Sequence, residues 1–228
     1  MIKAVLFDLD GTLIDSAPVI LRCFDSVFKE IFPHKEISED EKLEFLGPTL
    51  VHTFSRYTED QSLVERAVKL YVHCSLLEHD NNNIKAFPNA YELLEILKAR
   101  NIKIGVVTSK RSDAAAYGLK LNGLLEFVDI LIGSDSVKNH KPHPEALNKA
   151  LKELNLSPSE VIYVGDHEND ILAAQAAKIK SVGVTYSYRL PQIESINPDY
   201  LISNLLEIKD IVLKWLITYT KFINIYKL

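Results

Sequence analysis

The sequence predicts an α/β protein: a parallel sheet with helices on both faces, carrying a small all-helical insert after the first strand. Three observations carry that expectation. Residues 3–7 form a short apolar run that ends in Asp8-Leu9-Asp10-Gly11. From 17 to about 80, apolar residues recur at helical spacing and strand-like runs are absent. After Pro88, strand and helix patterns alternate as far as about residue 202.

Taken in order, 3–7 reads as a buried parallel strand. The insert opens with Val19, Leu21, Cys23, Phe24, Val27, Phe28 and Ile31 on a helical period. Breaks at Pro33, at Gly47-Pro48 and at Asn81-Asn82-Asn83 divide it into about four helices, the last long and amphipathic over 60–78. Helices are then expected over 90–100, 112–121, 144–154 and 169–177. Strands are expected over 102–107, 128–132, 161–164, 181–184 and 200–202. The tail, 205–228, reads as a helix striped by Leu205, Ile208, Ile211, Val212, Trp215 and Leu216. The expected division is an α/β domain of residues 1–16 and 83–228 and a helical domain of 17–82.

Composition narrows the function classes. The 228 residues are 47% hydrophobic and 25% charged, as in a soluble globular protein. A formal net charge of -5 without a Lys/Arg cluster argues against a nucleic-acid partner. No apolar run has the ~18 residues of a membrane span, and Met1-Ile2-Lys3-Ala4 lacks a signal-peptide pattern, so no membrane partner and a cytoplasmic location are expected. Cys23 and Cys74 lie in apolar helical patterns and are expected as buried reduced thiols, with nothing that asks for a disulfide. A monomer or homodimer fits the chain.

Open parallel sheets bind ligands beyond the carboxyl ends of their strands, and the polar residues of interest follow strands. Asp8 and Asp10 end the first strand, two apart, so both can face one pocket. Carboxylates held so close call for a cation, and magnesium suits an all-oxygen site. Asp8 then serves as nucleophile and Asp10 as general acid and base; a plain Asp-Gly turn is the alternative. Thr108-Ser109-Lys110 follows a strand and precedes a helix, which suits either phosphate binding by Thr108 and Ser109 or simple capping. Lys141, between His140 and Pro142, is either a fixed ammonium beside Asp8 or a solvated lysine. Asp166 follows Gly165 and can complete a magnesium shell, with Asp170 as an orienting group behind it; both also fit helix N-terminal carboxylates. Glu168 reads as solvated.

Asp8-Leu9-Asp10-Gly11-Thr12, Thr108, Lys141-Pro142-His143-Pro144 and Gly165-Asp166 with Asp170 resemble the four ordered motifs of the haloacid dehalogenase superfamily. The insert resembles the cap of the branch that includes phosphoglycolate phosphatases. The resemblance implies a Rossmann-like core and Mg²⁺ held by the Asp8 side chain, the Asp10 backbone carbonyl and Asp166. It implies phosphate binding by Thr108 and Lys141. Dehalogenases lack the second aspartate, which is present here as Asp10, so the resemblance is to a phosphatase. Sugar phosphomutases share both aspartates and stand as the alternative, with a non-catalytic binding module as a second. Phosphonate-cleaving members use a cap lysine, for which Lys29, Lys35 and Lys42 are available. Residues 45–50 resemble a closing loop of the phosphoglycolate phosphatase and pyrophosphatase group, which places Gly47 near substrate. Pyrophosphate or 2-phosphoglycolate is then the expected small anionic substrate. Arg56, His52 and Lys110 are the expected contacts to its leaving group.

Overall fold

Along the chain the elements are β1 (Ala4–Phe7), β2 (Ile14–Asp15), α1 (Ala17–Ile31), α2 (Glu39–Leu43), α3 (Leu50–Ser55) and α4 (Gln61–Asp80). There follow β3 (Lys85–Ala86), α5 (Ala90–Ala99), β4 (Lys103–Val107), α6 (Ser112–Leu121), β5 (Ile130–Ile132) and α7 (Glu145–Leu154). The order closes with β6 (Val161–Gly165), α8 (Glu168–Ala176), β7 (Lys180–Val184), α9 (Leu190–Ser195), β8 (Tyr200–Ile202) and helical turns over 207–213. This computed structural model describes residues 1–81 and 83–213; Asn82, Trp215 and Leu216 lie outside the described residues.

Six strands form one sheet in the order β5-β4-β1-β6-β7-β8, with every pairing parallel. The chain builds outward from β1 through β4 to β5, then returns to the other side of β1 for β6. Strand order therefore reverses at β1, and the crevice at its carboxyl end is where such sheets place ligands. Both faces are covered because side chains alternate along each strand. Val5 and Phe7 of β1 join Ile162 and Val164 of β6 in a core with Leu93, Leu94 and Leu97 of α5. Ala4, Leu6, Val161 and Tyr163 point the other way, onto Leu147 and Leu151 of α7 and Ala173 and Ala174 of α8.

The insert has its own aromatic centre. Phe24 and Phe28 of α1 meet Phe45 at ring-centroid distances of 4.6 and 5.4 Å, and Tyr71 of α4 lies 4.8 Å from Phe24. Asp60 caps α4 by accepting from the Ser62 amide at 2.8 Å, which sets where that helix begins. Cys23 and Cys74 depart from expectation: they form a disulfide, with Cα atoms 5.7 Å apart. α1 packs along α4, so thiols separated by 51 positions meet at a seam that linear spacing does not reveal.

Other differences are local. The strand expected over 128–132 starts only at Ile130, because a 3₁₀ turn over Leu125–Phe127 ends with the Val128 amide donating to the Leu125 carbonyl at 3.1 Å. α9 and the ribbon of β2 with β3 have no counterpart in the sequence reading. That ribbon is two residues long, Ile14 opposite Ala86 and Asp15 opposite Lys85, and it joins the chain segments on either side of α1–α4.

Leu94 is fully buried between α5 and the sheet. Its replacement by Ala is expected to lower unfolding free energy by about 2–5 kcal/mol, read from the urea midpoint at constant slope. A loss under about 1 kcal/mol would contradict this packing.

Candidate active site

The β1 ladder runs on past Phe7: the Asp8 amide donates to the Val164 carbonyl at 2.8 Å. This holds Asp8 in extended backbone at the switch point, with its side chain buried. The chain then turns tightly. Gly11 has φ +80°, and a β-carbon there would lie 2.0 Å from Asp166 Oδ2, so only glycine lets the β1 loop approach the β6 loop this closely. Thr12 bridges the two loops through its hydroxyl, which donates to Asp166 Oδ1 at 3.1 Å. On the opposite flank the Thr108 amide donates to the Ile132 carbonyl at 2.9 Å, placing Thr108 just beyond β4.

Lys141 arrives from the loop before α7, where its peptide bond to Pro142 is cis. Its ammonium is buried and donates to Asp8 Oδ1 at 2.8 Å, Asp170 Oδ1 at 2.6 Å and the Tyr163 hydroxyl at 3.0 Å. Tyr163 donates onward to the Val107 carbonyl at 2.8 Å. Asp170 is fixed from behind as well, since its Oδ2 accepts from the His167 amide at 3.0 Å. Burial opposes the charge on Lys141, but the carboxylates of Asp170 and Asp8 outweigh it and hold the ammonium well above its ordinary range. Burial lifts the Asp8 carboxyl from an ordinary 3.8 to about 7, against the pull of Lys141 and with help from Asp170. Asp166 is raised well above its usual range by burial and by Asp8 and Asp170 beside it.

Asp10 meets a different cation. Lys110 donates to its Oδ1 at 3.0 Å and Oδ2 at 3.2 Å. Burial disfavours the Asp10 charge, yet Lys110 together with Ser16 and His79 offsets this and holds the carboxyl below its ordinary value. Lys110 is thus bound to Asp10 rather than standing apart as a leaving-group contact. A cavity of about 210 Å³ opens above Asp8, Asp10, Thr108, Ser109 and Lys110, between the sheet end and the helical insert. Gly47 lines it, with φ +98°, and a β-carbon there would fall 2.5 Å from His167 Cδ2. The loop before α3 therefore rests directly on the loop after β6.

The sequence profile of the haloacid dehalogenase-like hydrolases matches residues 5–184. The chain belongs to that family. Pyrophosphatase PpaX of Oceanobacillus iheyensis is 37% identical over 212 residues, covering 92% of this chain and 95% of that protein. Pyrophosphatase PpaX of Bacillus pumilus is 35% identical, covering 92% and 96%. Among solved structures, a haloacid dehalogenase-like family hydrolase of Streptococcus pneumoniae superposes with a TM-score of 0.79 at 26% identity, over 92% of this chain and 98% of that one.

Several expectations about this hydrolase site need correction. Arg56 ends α3 on the exposed side of the insert, bound to Glu44 at 2.6 Å, and does not line the cavity. His52 is likewise exposed and does not line it. Lys29, Lys35 and Lys42 do not line it either; Lys42 is tied to Asp25 and Glu39. Glu168 is paired with Arg189 rather than solvated. Tyr71 and His79 are among the lining residues that the sequence does not single out. Tyr71 lies within the stretch 60–78 that reads only as amphipathic helix. His79 is buried at the end of α4, with neither ring nitrogen hydrogen-bonded.

The donor set fits a hard divalent cation. Asp8, Asp166 and Asp170 bring carboxylate oxygens within 4.8 Å of one another. Asp170 is already committed to Lys141, Tyr163 and the His167 amide, which leaves Asp8 and Asp166. Their crowding, with both carboxyls raised, is the condition a divalent charge relieves.

Removing the shared ammonium should expose the same crowding. In EDTA at pH 7.5, Lys141→Met is expected to cost about 3–5 kcal/mol of stability, because buried carboxylates lose their counter-ion. Without Lys141, which lowers it, the folded Asp8 carboxyl moves further above its wild-type value of about 7, so the deficit grows as pH rises through that value. The deficit should therefore shrink toward pH 5; a deficit that does not change with pH would count against this account.

Proposed function

We propose that the chain is a magnesium-dependent phosphatase that forms an aspartyl-phosphate on Asp8. The observation that carries this reading is the buried Asp8 carboxylate at the strand-order switch, held by Lys141 at 2.8 Å and clustered with the Asp166 carboxylate. Mg²⁺ would be held by the Asp8 and Asp166 side chains and the Asp10 carbonyl, and supplies charge neutralisation for the transferred phosphoryl group. The protein's own groups do the rest. Thr108 and Ser109 offer their hydroxyls, and Ser109 its amide, to phosphoryl oxygens where β4 gives way to α6. Lys141 keeps Asp8 oriented for attack at phosphorus and favours its ionised form against burial.

As the Asp8–phosphorus bond forms, the bond to the leaving oxygen breaks and that oxygen takes a proton from Asp10. Asp10 then removes a proton from water, whose oxygen attacks phosphorus and frees Asp8 and inorganic phosphate. Lys110 holds Asp10 ionised in this conformation. An arriving phosphoryl group competes for the Lys110 ammonium, and Asp10 regains its affinity for a proton. Transfer to water rather than to a sugar separates this reading from a phosphomutase. The same reading takes residues 17–82 as a cap over the site and puts the protein in the cytoplasm.

Purified protein should release phosphate from a panel of phosphate esters and pyrophosphate with Mg²⁺, and not with EDTA. Asp8→Asn should abolish turnover. Asp10→Asn should lower kcat by roughly 10²- to 10⁴-fold while leaving Mg²⁺-dependent thermal stabilisation in place. Full activity in Asp8→Asn would sink the proposal.

A further inference from the structure

The cavity is built from two unlike halves. Its floor is the charged end of the sheet, with Asp8, Asp10, Thr108 and Ser109. Its roof is the helical insert, and among the described residues that half contributes no Lys or Arg to the lining. α4 supplies two adjacent rows of the roof at helical spacing. Val68, Val72 and Leu76 form an apolar row; Tyr71, Ser75 and His79 form a row of neutral polar groups. Leu50 and Val51 of α3 extend the apolar surface across the mouth.

The two cations that line the floor are already matched. Lys110 sits on Asp10 at 3.0 Å and passes from it to the reacting phosphoryl group, and Arg111 reaches Asp113 at 3.3 Å. Arg56, the cation expected to reach in from the insert, is bound to Glu44 instead. A second phosphate or a carboxylate under this roof would be an anion against Val72 and Leu76 with no cation assigned to it, which is costly. An apolar group there gains, because Val51, Val72 and Leu76 are left 55%, 39% and 44% exposed at the mouth.

We infer that the substrate is a phosphate monoester with an uncharged, largely apolar leaving group seated against α4 and α3. This rests on the phosphatase reading above and differs from the substrate in the name of the PpaX relatives. The apolar row sets the preference for the body of the group, and Tyr71 and Ser75 can hydrogen-bond a neutral substituent on it.

The test compares kcat/KM of the full chain, with Mg²⁺, for ethyl, butyl and hexyl phosphate, whose leaving oxygens are chemically alike, and for pyrophosphate and phosphoglycolate. We expect kcat/KM to climb roughly tenfold or more from ethyl to hexyl phosphate and hexyl phosphate to surpass both anionic substrates. Val72→Lys and Leu76→Lys, at exposed positions, should each reverse that ranking while circular dichroism stays unchanged. Indifference to chain length in the wild-type protein, or preference for pyrophosphate or phosphoglycolate over hexyl phosphate, overturns the inference and leaves the phosphatase reading standing. Release of phosphate from none of the five overturns both.

Discussion

One buried ammonium organises the carboxyl end of the sheet. Lys141 is shared between Asp8 and Asp170, and all three side chains are buried. Desolvation works against the charge on Lys141, and the attraction of the two carboxylates decides the outcome: Lys141 stays protonated. Tyr163 completes the arrangement from within β6, passing a hydrogen bond from Lys141 to the Val107 carbonyl of β4. The charge centre is thereby tied to strands on both sides of β1. Position at the switch in strand order, rather than any one motif, gives this cluster its access to a ligand.

The parallel sheet was legible because its strands are short, apolar and separated by helices of ordinary length. The same logic expects Asp8, Thr108 and Asp166 each at a strand end, and the fold has them there; Lys141 was read from its rigid flanks. Groups that depend on tertiary approach were not legible. Tyr163 reads as one more apolar residue of a buried strand; only the fold turns its hydroxyl toward Lys141. Arg56 looked available until α3 brought it to Glu44, and Lys110 until the loops after β1 and β4 came side by side. The Cys23–Cys74 pair depends on how α1 lies along α4, which helical periodicity alone leaves undetermined.

Charge is distributed with the same economy across the cavity. The sheet end concentrates carboxylates and ammonium groups, while the aromatic centre of the insert presents hydrocarbon. A ligand spanning the two must be polar at one end and tolerant of desolvation at the other. Electrostatics thus fixes the reacting group, and shape and hydrophobicity act on what is attached to it.

β2 and β3 bear on how such a cavity could admit anything. They are the segments by which the chain leaves the sheet layer and returns to it, and they are hydrogen-bonded to one another. The helices are therefore attached along a single seam, as a page is bound at its spine. Swinging about that seam keeps Ile14 paired with Ala86, whereas sliding across it breaks the pairing. Opening and shutting is the motion such an attachment leaves cheap, and the Gly47 loop, resting on His167, is the edge that would lift first.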